Sequence, residues 1–225
     1  MIENAADLTL DELRIALAPA IADSAVFDGW SDAALIMAAE IEGVDIDVAR
    51  LAFKAEGNGG RAMAMIRAWI DGVDAAMAAE WPQDRLATLK VRERIRTLVQ
   101  FRLDAVAGQE EAVRRAMAIM AMPLNAAESL RIGWRSADRM WRLAGDTATD
   151  YNHYTKRTIL AGLYAATLTH FINDESEGKA DTRAFLERRI DGVMQFEKIK
   201  GRLLNSERES FSLTRFLGRL RYPAR

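Results

Sequence analysis

Apolar residues along this chain recur at spacings of three and four, with polar residues filling the positions between. Met65, Trp69, Val73 and Met77 mark one such face across 61–80, the pattern of an amphipathic helix. Alternating strand patterns are nearly missing. Thr9-Leu10-Asp11-Glu12 reads as a capping box, with Leu8 and Leu13 as its staple, and opens a first helix that Gly29-Trp30 ends. Ser31 caps a second helix over Asp32–Glu42, which Gly43 stops as a C′ glycine does. Asp45 opens a short third helix, finished by Gly57-Asn58-Gly59-Gly60. Pro82 starts a long helix to 107, and another over 110–122 is closed by Pro123. Asn125 with Glu128 caps a helix that reaches Leu143, Asp150 opens one through Ile172, and a ninth spans 181–200. Ser206 with Glu209 forms a last capping box. The expected fold is all-α with about ten helices.

Two segments stand out from this pattern. From 159 to 172 the chain is apolar or small on nearly every side, through Ile159, Leu160, Leu163, Tyr164, Leu168, Phe171 and Ile172. A helix that is apolar all round is buried all round, so core and subunit interface are both expected there, and with them a homodimer. In the tail, Leu213, Phe216, Leu217 and Leu220 form one apolar stripe, while Arg215, Arg219 and Arg221 gather on the remaining surface. That composition suits a helix lying in a membrane interface; docking of the same stripe on protein is the alternative. The expected domains are a three-helix bundle over 1–60, a helical domain over 61–200 and an amphipathic helix over 201–225.

Charge sharpens the division. Residues 1–80 hold fifteen acids and five bases, net −10, and the remainder holds eighteen acids and twenty-six bases, net +8. The second and third helices have the lengths of a helix-turn-helix. Residues 31–60, however, carry Asp32, Glu40, Glu42, Asp45, Asp47 and Glu56 against only Arg50 and Lys54. A reader of DNA needs cations at the phosphates, so a degenerate scaffold without nucleic-acid binding is expected.

Catalytic signals are missing. The chain has no cysteine, which removes disulfides, thiolate metal sites and thiol nucleophiles together. Its two histidines, His153 and His170, do not make the paired Glu-x-x-His pattern of a carboxylate di-iron site. The glycines at 57, 59 and 60 fit a loose dinucleotide pattern, but a helix precedes them where a strand is required. No enzyme, metal or cofactor is expected. Met1 to Leu8 lacks a basic region and an apolar stretch, so no signal peptide is expected, and no window approaches the roughly 18 apolar residues of a membrane span. Met63, Met65, Met117, Met120 and Met122, with Trp134, Met140 and Trp141, are soft, large side chains. They suit either a plain helical core or an adaptable apolar cavity.

The stretch from Met140-Trp141-Arg142-Leu143 through Asp150-Tyr151-Asn152-His153-Tyr154-Thr155-Lys156-Arg157 resembles the ubiquinone-biosynthesis lipid-binding accessory family. Its continuation through Asp174-Glu175-Ser176 to Asp181-Thr182-Arg183-Ala184-Phe185-Leu186 is similar too, and Gly29-Trp30-Ser31 and Met122-Pro123-Leu124-Asn125 fall in the expected order. The resemblance implies a TetR-like fold, with a degenerate helix-turn-helix bundle followed by a ligand-binding and dimerisation bundle. It implies a protein without chemistry of its own that binds an isoprenoid-type lipid and presents an intermediate to the di-iron hydroxylase of ubiquinone synthesis. Such a protein is expected in the cytoplasm, peripheral on the inner face of the membrane. Trp134, Met140, Trp141, Leu163, Tyr164 and Phe171 become the candidate lipid walls. Met140, Asp150, Asn152, His153, Tyr154 and Arg157 become a candidate outward-facing partner patch, with helix capping the alternative role for Asp150 and Asn152. Leu213, Arg215, Phe216, Leu217, Arg219 and Leu220 become the candidate membrane contact. The family usually carries Trp where this chain has His153, which bears on the partner contact. A TetR-type ligand-responsive regulator is the competing reading.

Overall fold

The computed structural model describes residues 7–55, 59–147 and 151–209, with only the backbone described at 151, 152, 194 and 196–209. Among these residues the regular structure is entirely helical: α1 (Leu10–Asp28), α2 (Asp32–Glu42), α3 (Ile46–Ala52), α4 (Gly60–Glu80), α5 (Gln83–Ala87), α6 (Val91–Asp104), α7 (Glu110–Met120), α8 (Ala126–Leu143), α9 (Tyr151–Phe171) and α10 (Ala180–Glu209).

The N-terminal helices begin where local chemistry dictates. The Thr9 backbone N–H donates to Glu12 Oε2 at 2.9 Å, and the Glu12 N–H donates to Thr9 Oγ1 at 3.3 Å, closing the capping box. Ser31 accepts from the Ala34 N–H, and Asp45 Oδ1 accepts from the N–H groups of Asp47 and Val48 at 2.9 and 3.1 Å. Gly43 ends α2 in the left-handed region at φ 71°. Leu13, Leu17 and Ile21 repeat on one buried face of α1, which packs on α2, α3, α4 and α7. Trp30 ties this bundle to the later helices. It is buried, its indole N–H donates to the Ala112 carbonyl at 2.9 Å, and its ring lies 5.2 Å from that of Trp69. The buried apolar residues form one continuous core from Leu13 to Ile190.

Three boundaries differ from the sequence pattern. The helix expected over 82–107 is broken: α5 ends at Ala87 and α6 starts at Val91. Leu86 is fully buried at the break, and Arg94 holds the turn by donating to the carbonyls of Ala87 and Leu89 at 3.0 and 2.8 Å. Asn125 makes no side-chain cap for α8; its amide donates instead to the Ile119 carbonyl at 2.8 Å. The helix through 181–200 does not stop there. α10 is continuous to Glu209, so Ser206 lies within a helix instead of at the start of a new one. Once begun, a helix gains one hydrogen bond per residue fixed, and no proline intervenes before 209.

α9 is also not enclosed on all sides. Leu160, Leu163, Thr167 and Phe171 are buried, whereas Thr158, Gly162, Ala165 and Thr169 are open. A single chain covers one face of this helix and leaves the opposite, small-residue face uncovered.

Candidate functional site

A cavity of about 620 Å³ lies between α4, α6, α7, α8 and α9. Trp69, Ile70 and Val73 line it from α4, and Val113, Ala116, Met117 and Met120 from α7. α8 contributes Ile132, Gly133, Trp134, Ser136 and Met140, and α9 contributes Thr158, Ala161, Gly162, Tyr164, Ala165 and Leu168. The α9 positions fall on one helical stripe, and the small Ala161, Gly162 and Ala165 among them leave volume unfilled. A Cβ added at Gly133 or Gly162 would meet no atom within 4 Å. The mouth lies where Leu130, Gly162 and Ala165 are exposed; the deep end is Val113, Ile132, Ser136 and Met140, all buried.

The deep end holds one charged wall residue among those described, Arg102, only 3% exposed. Its NH1 donates to Asp74, which also accepts from the Ser136 hydroxyl at 2.8 Å. The Tyr164 ring lies 4.8 Å from the guanidinium centre, and Arg102 Nε is buried with no hydrogen-bond partner. The remainder of the wall is apolar or weakly polar, which suits a ligand that is mostly hydrocarbon.

Of the six expected lipid walls, Trp134, Met140 and Tyr164 line the cavity, and Trp141, Leu163 and Phe171 do not. Trp141 points to the α8–α9 junction, where its indole N–H donates to the Lys156 carbonyl at 3.0 Å. Leu163 is buried on the core face of α9, about half a turn from the centre of the stripe that faces the cavity. Phe171 is buried one turn beyond Leu168, with Lys179 Nζ 4.9 Å from its ring centroid.

The expected outward-facing patch is divided by burial. Tyr154 is 61% exposed, and its ring sits 5.8 Å from Trp134 and 5.2 Å from His153. Met140 is fully buried and belongs to the cavity, not to an outer surface. Arg157, 1% exposed, is a structural centre: Nε donates to Asp138 at 2.6 Å, and NH1 donates to Asp146 at 3.1 Å and to the His153 carbonyl at 3.0 Å. Lys156 Nζ also reaches Asp146 at 2.7 Å. Burial alone pushes the Asp146 carboxyl up, but hydrogen bonds from Lys156 and Arg157 outweigh it and hold the group below its usual range. Asp150 and the whole tail patch of Leu213, Arg215, Phe216, Leu217, Arg219 and Leu220 lie outside the described residues, as does the Asn152 side chain.

Elsewhere, polar clusters have structural roles. Asp174 accepts from the hydroxyls of Ser176 and Thr182 at 2.6 Å each and from the Thr182 N–H at 2.8 Å. Burial raises this carboxyl, yet the hydrogen bonds win and hold it well below the ordinary carboxylate range. His170 stacks on Phe185 at 4.7 Å, with Nδ1 3.3 Å from the Thr182 hydroxyl. No cluster able to hold a metal ion is found among the described residues, and none of the described helices is long and apolar enough to cross a membrane. In the helix-turn-helix region, Arg50 pairs with Asp32 at 3.1 Å and Arg61 pairs with the same carboxylate.

The Arg102–Asp74–Ser136 cluster was missed in the sequence, though a signal existed. Arg102 occupies the fourth of the five positions on the α6 face that Ile95, Leu98, Val99 and Leu103 otherwise define, an apolar stripe interrupted by a cation. Asp74 likewise interrupts the α4 face between Ile66 and Met77.

The architecture is that of the TetR-like helical class. The structure matches the crystal structure of a TetR transcriptional regulator from Nitrosomonas europaea with a TM-score of 0.64, over 81% of this chain and 98% of that one, at 24% identity. Within that fold, residues 126–197, which build α8, α9 and the start of α10, match the COQ9 family. The mitochondrial ubiquinone biosynthesis protein COQ9 of Rattus norvegicus is 37% identical over 105 residues, covering 47% of this chain and 34% of that protein. The Homo sapiens protein is 36% identical over 105 residues, covering 47% and 33%. The chain thus spans about a third of the length of the curated relatives it matches.

Proposed function

We propose that this chain is a non-catalytic, lipid-binding accessory protein of ubiquinone biosynthesis. It takes an isoprenoid-type lipid into the cavity between α4 and α9 and presents it to a partner hydroxylase. The observation that carries the reading is an open apolar cavity of about 620 Å³ whose α8 and α9 walls lie in the segment that matches the COQ9 family. A volume in the ~300–1,000 Å³ class is that of a ligand site and far exceeds a packing defect.

Exposed Tyr154, packed on Trp134 at the rim, is the proposed hydroxylase anchor, since exposed aromatics are typical interface anchors. A homodimer is part of the proposal, and the tail beyond 209 is the proposed contact with the membrane. The test is direct: purify the protein, extract it with organic solvent and identify bound lipid by mass spectrometry. An isoprenoid lipid in near-stoichiometric amount supports the reading; empty extracts, together with no binding of added isoprenoid quinone, refute it.

A TetR-type regulator is the second reading, favoured by the structural neighbour alone. Against it stand the net charge of −4 over 31–60 and the use of Arg50 and Arg61 in pairs with Asp32. Absence of a salt-sensitive gel shift on the chain's own upstream DNA would dispose of it.

A further inference from the structure

The α2–α3 pair carries large aliphatic side chains on the outside. Its buried positions are mostly alanine, with Ala34, Ala38 and Ala39 from α2 and Ala49 and Ala52 from α3. Met37, Ile41, Val48 and Leu51 face solvent instead, each between 42% and 57% exposed. Met37 and Ile41 stand one turn apart on α2, and Val48 and Leu51 stand one turn apart on α3, with only residues 43–45 between the helices. Single apolar residues on a surface are ordinary. Four on two joined helices need a reason, because apolar area left in water adds nothing to the fold. The face is also preformed. Ser31 and Asp45 cap its two helices, Gly43 fixes the turn between them, and Arg50 and Arg61 both pair with Asp32.

The charges around these side chains select the partner. Glu40 precedes Ile41 and Asp47 precedes Val48 along the chain, and both carboxylates are exposed, as is Asp45. Residues 31–60 as a whole carry a net charge of −4, and Arg50 and Arg61 are already held by Asp32. Where a DNA reader sets cations, this pair of helices sets aliphatics and acids. Nucleic acid and an anionic bilayer are repelled by such a surface, and a second copy offering the same face meets like charge. We propose that the α2–α3 face docks a basic amphipathic helix of a partner protein. The apolar stripe of that helix lies on Met37, Ile41, Val48 and Leu51, and its Lys and Arg side chains face Glu40, Asp45 and Asp47. None of these residues lines the cavity, so the assignment stands or falls independently of the lipid reading.

The test uses the full chain and a fluorescein-labelled synthetic peptide of Leu and Lys, about 18 residues long and patterned as an amphipathic helix. Its Leu/Glu counterpart is the control. Fluorescence anisotropy at ~50 and ~300 mM salt is expected to show micromolar, salt-weakened binding of the Leu/Lys peptide, and binding of the Leu/Glu peptide weaker by about tenfold or more. The Ile41→Ser/Leu51→Ser variant is expected to lose about tenfold in affinity for the Leu/Lys peptide. Leu124→Ser/Leu130→Ser removes exposed leucines elsewhere on the surface and is expected to stay within about twofold of wild type. Glu40→Gln/Asp47→Asn keeps the aliphatics and is expected to lose about threefold at low salt and almost nothing at high salt. All of these positions are exposed, so each variant is expected to melt at the wild-type temperature. Wild-type affinity in the Ile41/Leu51 variant, an equal loss in the Leu124/Leu130 variant, or a Glu40/Asp47 variant unchanged at low salt would overturn the assignment. So would equal binding of the two peptides, or a wild-type Kd for the Leu/Lys peptide weaker than ~100 μM at low salt.

Discussion

Arg157→Met removes the centre of the α8–α9 junction, and its effect can be estimated from the contacts it makes. The guanidinium is 1% exposed and donates to two carboxylates, Asp138 and Asp146, as well as to the His153 carbonyl. Methionine keeps most of the stem volume, so the loss is chiefly that of the charged partner. Breaking a buried pair from one side costs ~3–5 kcal/mol, because the other charge is left buried. Here Lys156 still reaches Asp146 and Arg142 still reaches Asp138 at 2.8 Å, so the expected loss lies at the low end, about 3 kcal/mol. For a chain of this size that lowers Tm by about 6–12 °C. Arg142→Ala is the internal control. Its side chain is 72% exposed, and a surface pair of that kind contributes ~0.5 kcal/mol or less. Denaturant unfolding followed by far-ultraviolet circular dichroism measures both. The pH dependence adds a second check. The Asp146 carboxyl is held below its usual value, so its contribution is complete above ~pH 4 and is lost as pH falls through the depressed folded value. The gap between wild type and Arg157→Met should therefore narrow on acidification below ~pH 4. An Arg157→Met protein within about 1 kcal/mol of wild type at neutral pH would refute the structural role assigned here.

Gly133→Ala should stabilise the protein by about 0.5–1 kcal/mol in thermal or denaturant melts, since it sits within α8 and its added Cβ meets nothing within 4 Å. Ala161→Phe, which pushes a ring into the cavity from α9, should lower the lipid recovered in extracts while leaving Tm unchanged or raised. Asp174→Ala should destabilise the turn before α10 by about 1–3 kcal/mol at neutral pH, because the Thr182 N–H and two hydroxyls lose their acceptor. That penalty should shrink only in strong acid, below the ordinary carboxylate range, where the wild-type carboxyl finally protonates. Tyr154→Ala should leave stability within about 0.5 kcal/mol of wild type but reduce hydroxylase recovery in a pull-down, and an unchanged pull-down would remove Tyr154 from the partner surface.

The sequence by itself determined what depends on near neighbours. Thr9, Ser31, Gly43 and Asp45 end or begin helices through bonds made within a few residues, so the boundaries of α1, α2 and α3 were legible. The all-helical class followed from apolar periodicity, and the TetR-like arrangement from the resemblance centred on 140–190. Where contacts come from distant residues, the same signals misled. Asn125 looks like a cap for α8 but turns to Ile119, and the break at 88–90 exists because Leu86 enters the core and Arg94 takes up the carbonyls. Helical spacing also could not separate Met140, which faces the cavity, from its neighbour Trp141, which closes the junction at Lys156. Arg157 reads as a surface cation in a specific motif, and only the approach of Asp138 and Asp146 shows it to be buried. The polar end of the cavity is the clearest case. Arg102, Asp74 and Ser136 stand on three helices at sequence separations of 28 and 62 residues. Each breaks an apolar stripe for a reason that no local pattern contains, because a buried charge is tolerable only where the fold brings its partner to it.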